Sequence, residues 1–394
     1  PGASATLVQL QPDCAALPRA ARLPLLQLSL PALRFADAAT RDRFLRTLEA
    51  VIHADGRVSP FEFALREIAV PEVREGWALI KVEACGVCGT DLHIASSVTH
   101  RLTMKPPTEW QGFGHEVAGV VAQVGRGVAN VKEGDRVVLE SGSYCGTCEL
   151  CRNGRSDLCN KGPNFWNNES MGFAEYILAP KECLVPFDGL SFEIASLSEP
   201  LGVALDMTYT ADIALGDDVL VLGLGPIGLL SIPLVRRKGA AHIYAANRSR
   251  GKRTDLAQLY GADSVIVTGE TPVEAVPFRR GGVDRALVSA SASAVLEALP
   301  VMNYGGIIAF IGIEYGPGAA LTFDANEFHF RKLQLRASHA SPALYFPTCL
   351  QLLKDGHVNG EAIISHVMPL ERIVEAMTLL RDSRSEVLKI VIKP

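Results

Sequence analysis

The stretch DVLVLGLGPIG, residues 218–228, decides the fold of the second half of the chain. After Asp218, residues 219–222 form an apolar run that is typical of a buried strand. The run Gly223-Leu224-Gly225-Pro226-Ile227-Gly228 then turns into an apolar helix that we expect to reach about Lys238. A GxGxxG motif alone is a weak signal. Between a strand and a helix, it predicts that backbone amides and the helix N-terminus bind the pyrophosphate of a dinucleotide.

Further apolar runs continue this pattern along the chain. They cover residues 242–246, 262–267, 283–288, 305–312 and 332–337. Strands that alternate with helical segments predict a doubly wound parallel sheet, here over residues 209–340. After it we expect a helix over residues 342–355 and a last strand over residues 387–392.

The end of the second strand indicates which nicotinamide cofactor is used. An NAD enzyme carries an acidic residue there, about twenty residues after the glycine turn, for the ribose 2′-hydroxyl. This chain has Asn247, Arg248 and Arg250 instead, followed by Lys252 and Arg253. Because arginine binds a phosphate bidentately and a carboxylate would repel it, the sequence favours NADP over NAD. The alternative is that these cations only form a solvated helix start.

A cluster of metal-type ligands lies in the first half. The stretch CGVCGTDLH, residues 85–93, holds Cys85, Cys88, Asp91 and His93, and His115-Glu116 begins 27 positions after Cys88. Cysteine and histidine are the usual zinc donors, and a catalytic zinc takes three protein ligands and leaves one position open. A Cys-x-x-Cys pair alone could also be redox-active or structural.

A second cysteine cluster follows, with Cys145, Cys148, Cys151 and Cys159 within fifteen residues. Four thiolates at this spacing suit a closed tetrahedral zinc site that clamps a loop. Spacing alone also allows an iron–sulfur cluster. Farther on, residues 162–172 place Phe165 and Trp166 beside two asparagines, which indicates either a sugar-binding wall or ordinary loop packing.

Short strands surround these clusters. Residues 78–85 begin apolar and then alternate, residues 117–124 are rich in β-branched side chains, and residues 131–138 continue this style with a turn at Gly134-Asp135. Such a series predicts a compact, partly open β-barrel around the metal.

The run CGVCGTDLH, then GHE, then the four-cysteine cluster, then GLGPIG resembles the zinc-dependent medium-chain dehydrogenase/reductase family, and within it the sorbitol and threonine dehydrogenase branch. The resemblance covers roughly residues 62–394. It implies an α/β protein with a GroES-like β-rich catalytic domain over residues 62–208 and 341–394 and a Rossmann domain over residues 209–340. It also implies two zinc ions per chain, one catalytic and one structural.

The resemblance assigns the site residues. Glu199, in Glu199-Pro200, stands where that branch has an acidic ligand and where classical alcohol dehydrogenases have a cysteine, so Cys88, His115 and Glu199 are expected to hold the catalytic zinc. Glu116 is expected to exchange as a ligand or to lie behind the ligands. The alternative for Glu199 is a helix N-terminal acid. Thr90 is expected to take the proton of the alcohol, and a relay through the cofactor ribose would pass it to His93; Asp91 would orient the metal ligands.

The implied function is hydride transfer between NAD(P) and a secondary alcohol or ketone, with a polyol, a sugar or an amino alcohol as the substrate. One alternative is a carbonyl reductase of non-sugar substrates. Another is a fusion protein with a weakened active site that acts through its N-terminal module. A homodimer or homotetramer is expected from the resemblance.

Composition agrees with this class. The chain has 394 residues and a net charge of −5, which gives no basic footprint for nucleic acid or anionic lipid. Its apolar runs are too short to span a bilayer. Six of the nine cysteines fall in the two clusters, which indicates metal binding in a reducing compartment, and we expect a cytoplasmic protein.

Residues 1–61 do not resemble the family. Residues 38–53 carry an apolar stripe at helical spacing, so a short appendage that is either helical or partly disordered is expected. It would be either a product of fusion at a gene boundary or a module that binds a partner.

Overall fold

The computed structural model describes residues 70–95, 112–166, 170–314, 316–383 and 385–394. From Glu72 onward these residues belong to one compact unit. The appendage predicted over residues 1–61 lies outside the described residues.

Thirteen strands form two sheets in the described part of the chain. They are β1 Trp77–Gly86, β2 Glu116–Val124, β3 Arg136–Leu139, β4 Tyr176–Pro180, β5 Leu184–Pro186, β6 Asp218–Leu222, β7 His242–Asn247, β8 Ser264–Val267, β9 Val283–Val288, β10 Met302–Phe310, β11 Gln334–Ala337, β12 Ile364–Pro369 and β13 Lys389–Lys393.

Eleven α-helices connect or flank these strands within the same described ranges. They are α1 Gly89–Ala95, α2 Glu149–Arg152, α3 Phe192–Ser196, α4 Ser198–Thr210, α5 Pro226–Arg237, α6 Lys252–Leu259, α7 Val295–Ala298, α8 Ala325–Phe330, α9 Phe346–Lys354, α10 Gly360–Ile363 and α11 Ile373–Asp382. Among them, no helix has both the length and the apolar character needed to cross a membrane.

The first sheet has seven strands in the order β12-β13-β1-β2-β3-β5, with β4 also paired to β1. The pairs are antiparallel except β12 with β13. The strands predicted at 78–85 and 117–124 are confirmed. Of the strand predicted at 131–138, only the end from Arg136 forms, because Lys132 to Asp135 make a turn in which Asp135 Oδ2 accepts the Lys132 amide at 2.9 Å.

The second sheet confirms the predicted doubly wound pattern. Its six strands are all parallel and lie in the order β11-β10-β9-β6-β7-β8. Every residue of β6 is buried, as its apolar run predicted. The chain order reverses between β6 and β9, and ligands of such sheets bind at the carboxyl ends of the strands at this switch point.

The helix predicted over residues 342–355 is four residues shorter at its start. It begins at Phe346, with Pro347 in its first turn. Proline is favoured in the first turn of a helix, where its missing N–H removes no hydrogen bond. Pro347, rather than Pro342, therefore marks the start of α9.

Candidate active site

Asp91 connects the two segments that carry the first ligand cluster. It is fully buried on α1. Its Oδ2 accepts the backbone N–H of Cys88 at 2.8 Å, and its Oδ1 accepts that of Gly114 at 3.1 Å. Oδ1 also lies 3.4 Å from Nδ1 of His115. One carboxylate thus fixes the backbone on both sides of the site and orients the imidazole.

The structure brings three of the predicted ligands together. Cys88, His115 and Glu116 each offer one ligand atom, and these atoms lie within 4.8 Å of one another. Glu199, at the start of α4, places Oε1 3.9 Å from Nε2 of His115, with 13% of its side chain exposed. Burial raises the pKa of Glu199 to about 7. The tight group therefore contains Glu116, and Glu199 lies next to it, near Nε2 of His115.

This donor set suits a metal ion. Oε2 of Glu116 is buried and has no hydrogen-bond partner among the described residues. Burying an unsatisfied acceptor is costly, and a cation removes that cost for a carboxylate oxygen. A thiol, an imidazole and a carboxylate are the ligand types of a catalytic zinc.

Lys389, on the last strand, was not identified from the sequence. Its side chain is 2% exposed. The ammonium group donates to Oε1 of Glu116 at 2.5 Å and to the carbonyl oxygen of Val87 at 3.1 Å. Burial disfavours the charged form, but the neighbouring Glu116, Cys88 and Glu199 together outweigh this effect, and the pKa of Lys389 is raised. A buried cation therefore lies directly behind the ligand group.

The other predicted catalytic residues lie on α1. Thr90 is partly exposed and His93 is exposed. Cys85, which the sequence left without a role, is fully buried, as expected of a small apolar side chain.

The aromatic pair of residues 162–172 divides into two environments. Phe165 is fully buried in the core of the first sheet. Trp166 lies against His115, with ring centroids 4.8 Å apart and 36° between the planes. Asn167, Asn168 and Glu169 lie outside the described residues. Ordinary packing thus explains Phe165, whereas Trp166 forms a wall beside a candidate ligand.

The four cysteines of the second cluster converge. Their sulfur atoms lie 3.5–4.0 Å apart in four pairs, and no disulfide joins them. A zinc tetrahedron with bonds of about 2.3 Å has edges of about 3.8 Å, so this spacing suits one ion. Hydrogen bonds from the amides of Thr147 and Cys148 lower the pKa of Cys145 to about 6, which favours the thiolate that a metal needs.

The glycine turn after β6 has the shape of a phosphate cradle. A Cβ on Gly228 would lie 1.9 Å from the carbonyl oxygen of Gly223, so close packing requires this glycine. A Cβ on Gly225 would meet nothing within 4 Å and would fill open space in front of α5. Gly225 stands at the N-terminus of α5, and Pro226 occupies the first turn of that helix. The first-turn amides have no partner within the helix, and they point toward the space that Gly225 leaves open.

The cations after β7 are not equivalent. Arg250 lies 3.8 Å from Glu270, and Lys252 lies 3.1 Å from Glu386. Arg248 is exposed and forms no ion pair within the described ranges. Asn247 ends β7 and donates from Nδ2 to the carbonyl oxygen of Ser249 at 2.7 Å.

Comparison with known proteins places the chain in a family. Residues 74–189 match the family described as "Alcohol dehydrogenase GroES-like domain", and residues 226–355 match the family described as "Zinc-binding dehydrogenase".

Curated relatives span most of the chain. An L-threonine 3-dehydrogenase from Bacillus velezensis is 32% identical over 335 residues, which cover 82% of this chain and 94% of the relative. A D-arabitol-phosphate dehydrogenase from Enterococcus avium is 31% identical, with 80% of this chain and 90% of the relative covered.

A solved structure described as a zinc-binding dehydrogenase, from Sinorhizobium meliloti 1021 and bound to NADP, has a TM-score of 0.73 and 27% identity, covering 83% of this chain and 94% of that chain. The two sheets and these matches agree with the fold and the family expected from the sequence. The chain belongs to the zinc-dependent medium-chain dehydrogenase family.

Proposed function

We propose that this protein is a zinc-dependent dehydrogenase that transfers a hydride between NADP and a secondary alcohol or its ketone. The observation that carries this proposal is the convergence of Cys88, His115 and Glu116 within 4.8 Å, with Glu199 3.9 Å from His115. Three separate segments of the chain supply these side chains, and Asp91 and Lys389 hold two of them from behind.

The chemistry is divided between the bound groups and the chain. When bound, zinc supplies the Lewis acidity that lowers the pKa of an alcohol, and the nicotinamide ring accepts the hydride. Cys88, His115 and one carboxylate at a time, from Glu116 or Glu199, would hold the metal, which leaves one position open for the substrate. A carboxylate is a harder donor than a thiolate and transfers less electron density to the metal. The metal therefore keeps more of its positive charge.

The proton leaves through side chains of α1. Thr90, two residues after Cys88, accepts a hydrogen bond from the substrate hydroxyl and takes its proton. Because His93 is exposed, it can exchange that proton with water. The ribose of the cofactor connects the two residues in the relay that the family resemblance implies.

The substrate class that we propose is a polyol, a sugar or an amino alcohol. The curated relatives that act on threonine and on arabitol phosphate support a hydroxyl flanked by polar groups. Trp166 beside His115 gives the site a flat apolar wall on which the carbon skeleton of such a substrate can lie.

NADP preference rests on Arg248. Arg250 and Lys252 are already paired with carboxylates, and Arg253 donates to the carbonyl oxygen of Val387. Among the described cations after β7, this leaves Arg248 to bind a 2′-phosphate. A fork-shaped guanidinium suits this group. The NADP-bound relative supports the same choice.

A second, structural zinc is proposed at Cys145, Cys148, Cys151 and Cys159. The sulfur spacing supports one tetrahedral ion that closes residues 145–159 into a fixed loop.

The domain limits expected from the sequence, residues 62–208 and 341–394 for the first domain and 209–340 for the second, belong to the same proposal. So does a cytoplasmic homodimer or homotetramer. The eight cysteines in the described ranges are all free, which supports a reducing compartment.

The test is nicotinamide absorbance measured with the full chain. Oxidation of polyols, sugar alcohols and L-threonine with NADP is compared with reduction of the matching ketones with NADPH, and each reaction is repeated in a Cys88→Ser variant. We expect NADP-linked turnover in both directions that the variant loses. Turnover that persists in the variant would contradict the assignment of the metal site.

A further inference from the structure

Lys389 lies inside the candidate metal centre although it is no metal ligand. Its ammonium bridges the carboxylate of Glu116 and the carbonyl oxygen of Val87, and only 2% of its side chain is exposed. Strand β13 also holds this loop by its backbone, because the Val87 amide donates to the Ile390 carbonyl at 2.9 Å. Lys389 therefore contacts the strand that carries Glu116 and the loop that carries Cys88.

Stability alone does not explain this lysine. Removing an ammonium from water is expensive, and apolar side chains of similar volume often stabilise a fold as well as or better than a buried ion pair. The ion pair between Lys389 and Glu116 therefore needs another explanation, and its position next to the candidate metal ligands indicates one.

The two oxygens of Glu116 have different environments. Oε1 is taken by Lys389 at 2.5 Å, whereas Oε2 is buried and has no hydrogen-bond partner among the described residues. Oε2 lies over Gly86, where a Cβ would approach it to 1.9 Å. Gly86 and Glu116 face each other in the register of β1 and β2. The carboxylate is thus held at one oxygen, and the absence of a side chain at Gly86 leaves room for the other.

We propose that Lys389 is a positioning residue that limits Glu116 to one oxygen toward the catalytic metal. This inference rests on the proposed function, because it concerns the metal centre of that function. Carboxylates bind metal ions through one oxygen or through both. With Oε1 engaged by Lys389, only Oε2 is available, and a coordination position stays open for substrate. Without the lysine, Glu116 can offer both oxygens and close that position.

The charge of Lys389 acts in the same direction. A cation within hydrogen-bond distance of a ligand repels a divalent metal and shares the negative charge of the carboxylate. Removing this cation should therefore strengthen metal binding while it impairs turnover. A lysine with a purely structural role would give the opposite result, because loss of a packing partner loosens the site.

The experiment compares zinc affinity, by competition with a chelator, in the full chain and in Lys389→Met. We expect zinc to bind about tenfold more tightly in the variant, an effect as large as the losses that substitutions behind metal ligands usually cause but opposite in sign. In the cobalt-substituted proteins, added imidazole should change the visible spectrum of the parent but not of Lys389→Met. Lys389→Arg keeps the cation and should restore the parent values. Lys393→Met removes an exposed cation of the same strand, paired with Glu193, and serves as the control.

The Glu116→Gln background tests whether Lys389 acts on zinc affinity through the Glu116 carboxylate. There, adding Lys389→Met should raise zinc affinity less than it does in the parent, because the carboxylate that the lysine restrains is gone and only the repulsion between the two cations is relieved. If Lys389→Met alone does not fold, Lys389→Gln takes its place, because it removes the charge and fills similar space. Zinc should again bind more tightly than in the parent, and weaker or unchanged binding there would overturn the inference. Weaker or unchanged zinc binding in Lys389→Met, or an equal effect in the Glu116→Gln background, overturns the inference.

The outcomes also separate this inference from the proposed function. Tighter zinc binding in Lys389→Met, in a protein whose parent shows no NADP-linked turnover, would support the role of Lys389 and reject the dehydrogenase. Normal turnover in the parent with unchanged zinc affinity in Lys389→Met would support the dehydrogenase and reject the role of Lys389.

Discussion

Asp91 and His115 are 24 residues apart in the chain, yet Oδ1 of Asp91 lies 3.4 Å from Nδ1 of His115. The same carboxylate accepts the amides of Cys88 and Gly114. We therefore expect Asp91→Asn to weaken zinc binding by about tenfold to a hundredfold, because an amide cannot accept at both of its terminal atoms. Chelator competition measures this change. Asp382→Asn, at an exposed aspartate paired with Arg381, is the control and should bind zinc like the parent.

Cofactor choice should depend on Arg248 more than on Arg250. We expect Arg248→Ala to raise the Kd for NADP by about tenfold, the loss of one charge-assisted contact, and to leave the Kd for NAD unchanged. Arg250→Ala should have a smaller effect, because Glu270 already pairs with that side chain. Quenching of the protein's tryptophan fluorescence, titrated with NADP and with NAD, gives all of these constants. Equal losses for both cofactors in Arg248→Ala would rule out a 2′-phosphate contact.

The glycine turn provides a matched pair of substitutions. Gly225→Ala adds a methyl group in open space at a φ of −70°, so the thermal midpoint should not change, while NADP binding weakens because the methyl group occupies the cradle. Gly228→Ala forces a methyl group against Gly223 and Ser289 and should lower the midpoint by several degrees. Calorimetry and cofactor titration separate the two effects. A large loss of stability in Gly225→Ala would show that this position is needed for packing.

The buried carboxyl of Glu140 should make stability depend on pH. Burial raises its pKa from 4.5 to about 8. Between these values the unfolded chain releases a proton that the folded chain keeps, so the contribution of Glu140 to stability falls as pH rises. Glu140→Gln cannot ionise, and its stability relative to the parent should increase by at least about 1 kcal/mol from pH 5 to pH 9.

Urea denaturation at the two pH values measures this difference. Glu182→Gln is the control, because Glu182 is exposed and lines one surface cavity together with Glu140. Its stability should change with pH as that of the parent does. A stability difference between Glu140→Gln and the parent that stays constant with pH would mean that Glu140 keeps its ordinary pKa in the folded protein.

The sequence predicted those features that depend on local spacing. The strand, glycine turn and helix of residues 218–237 follow from one continuous pattern, and they form as expected. The four clustered cysteines also converge, because only fourteen positions separate the first from the last.

Other features depend on contacts that no local pattern contains. Lys389 lies 273 positions from Glu116, on a strand whose alternation gives no sign of a buried cation. The difference between Arg248 and Arg250 arises from Glu270, which β8 brings close. From the sequence, Trp166 is only an aromatic residue in a loop, and its contact with His115 is visible only in the fold. In each case the partner is set by sheet topology rather than by neighbouring residues.

The central claim is that two metal centres are present, of which the one at Cys88 and His115 is catalytic. Zinc content per chain, measured in the purified full chain and in Cys88→Ser and Cys148→Ser, tests it most directly. The account predicts two zinc ions in the parent and one in each variant, with NADP-linked turnover lost in Cys88→Ser. A single zinc in the parent that disappears in Cys148→Ser would show that only the cysteine cluster binds metal, and it would contradict the account.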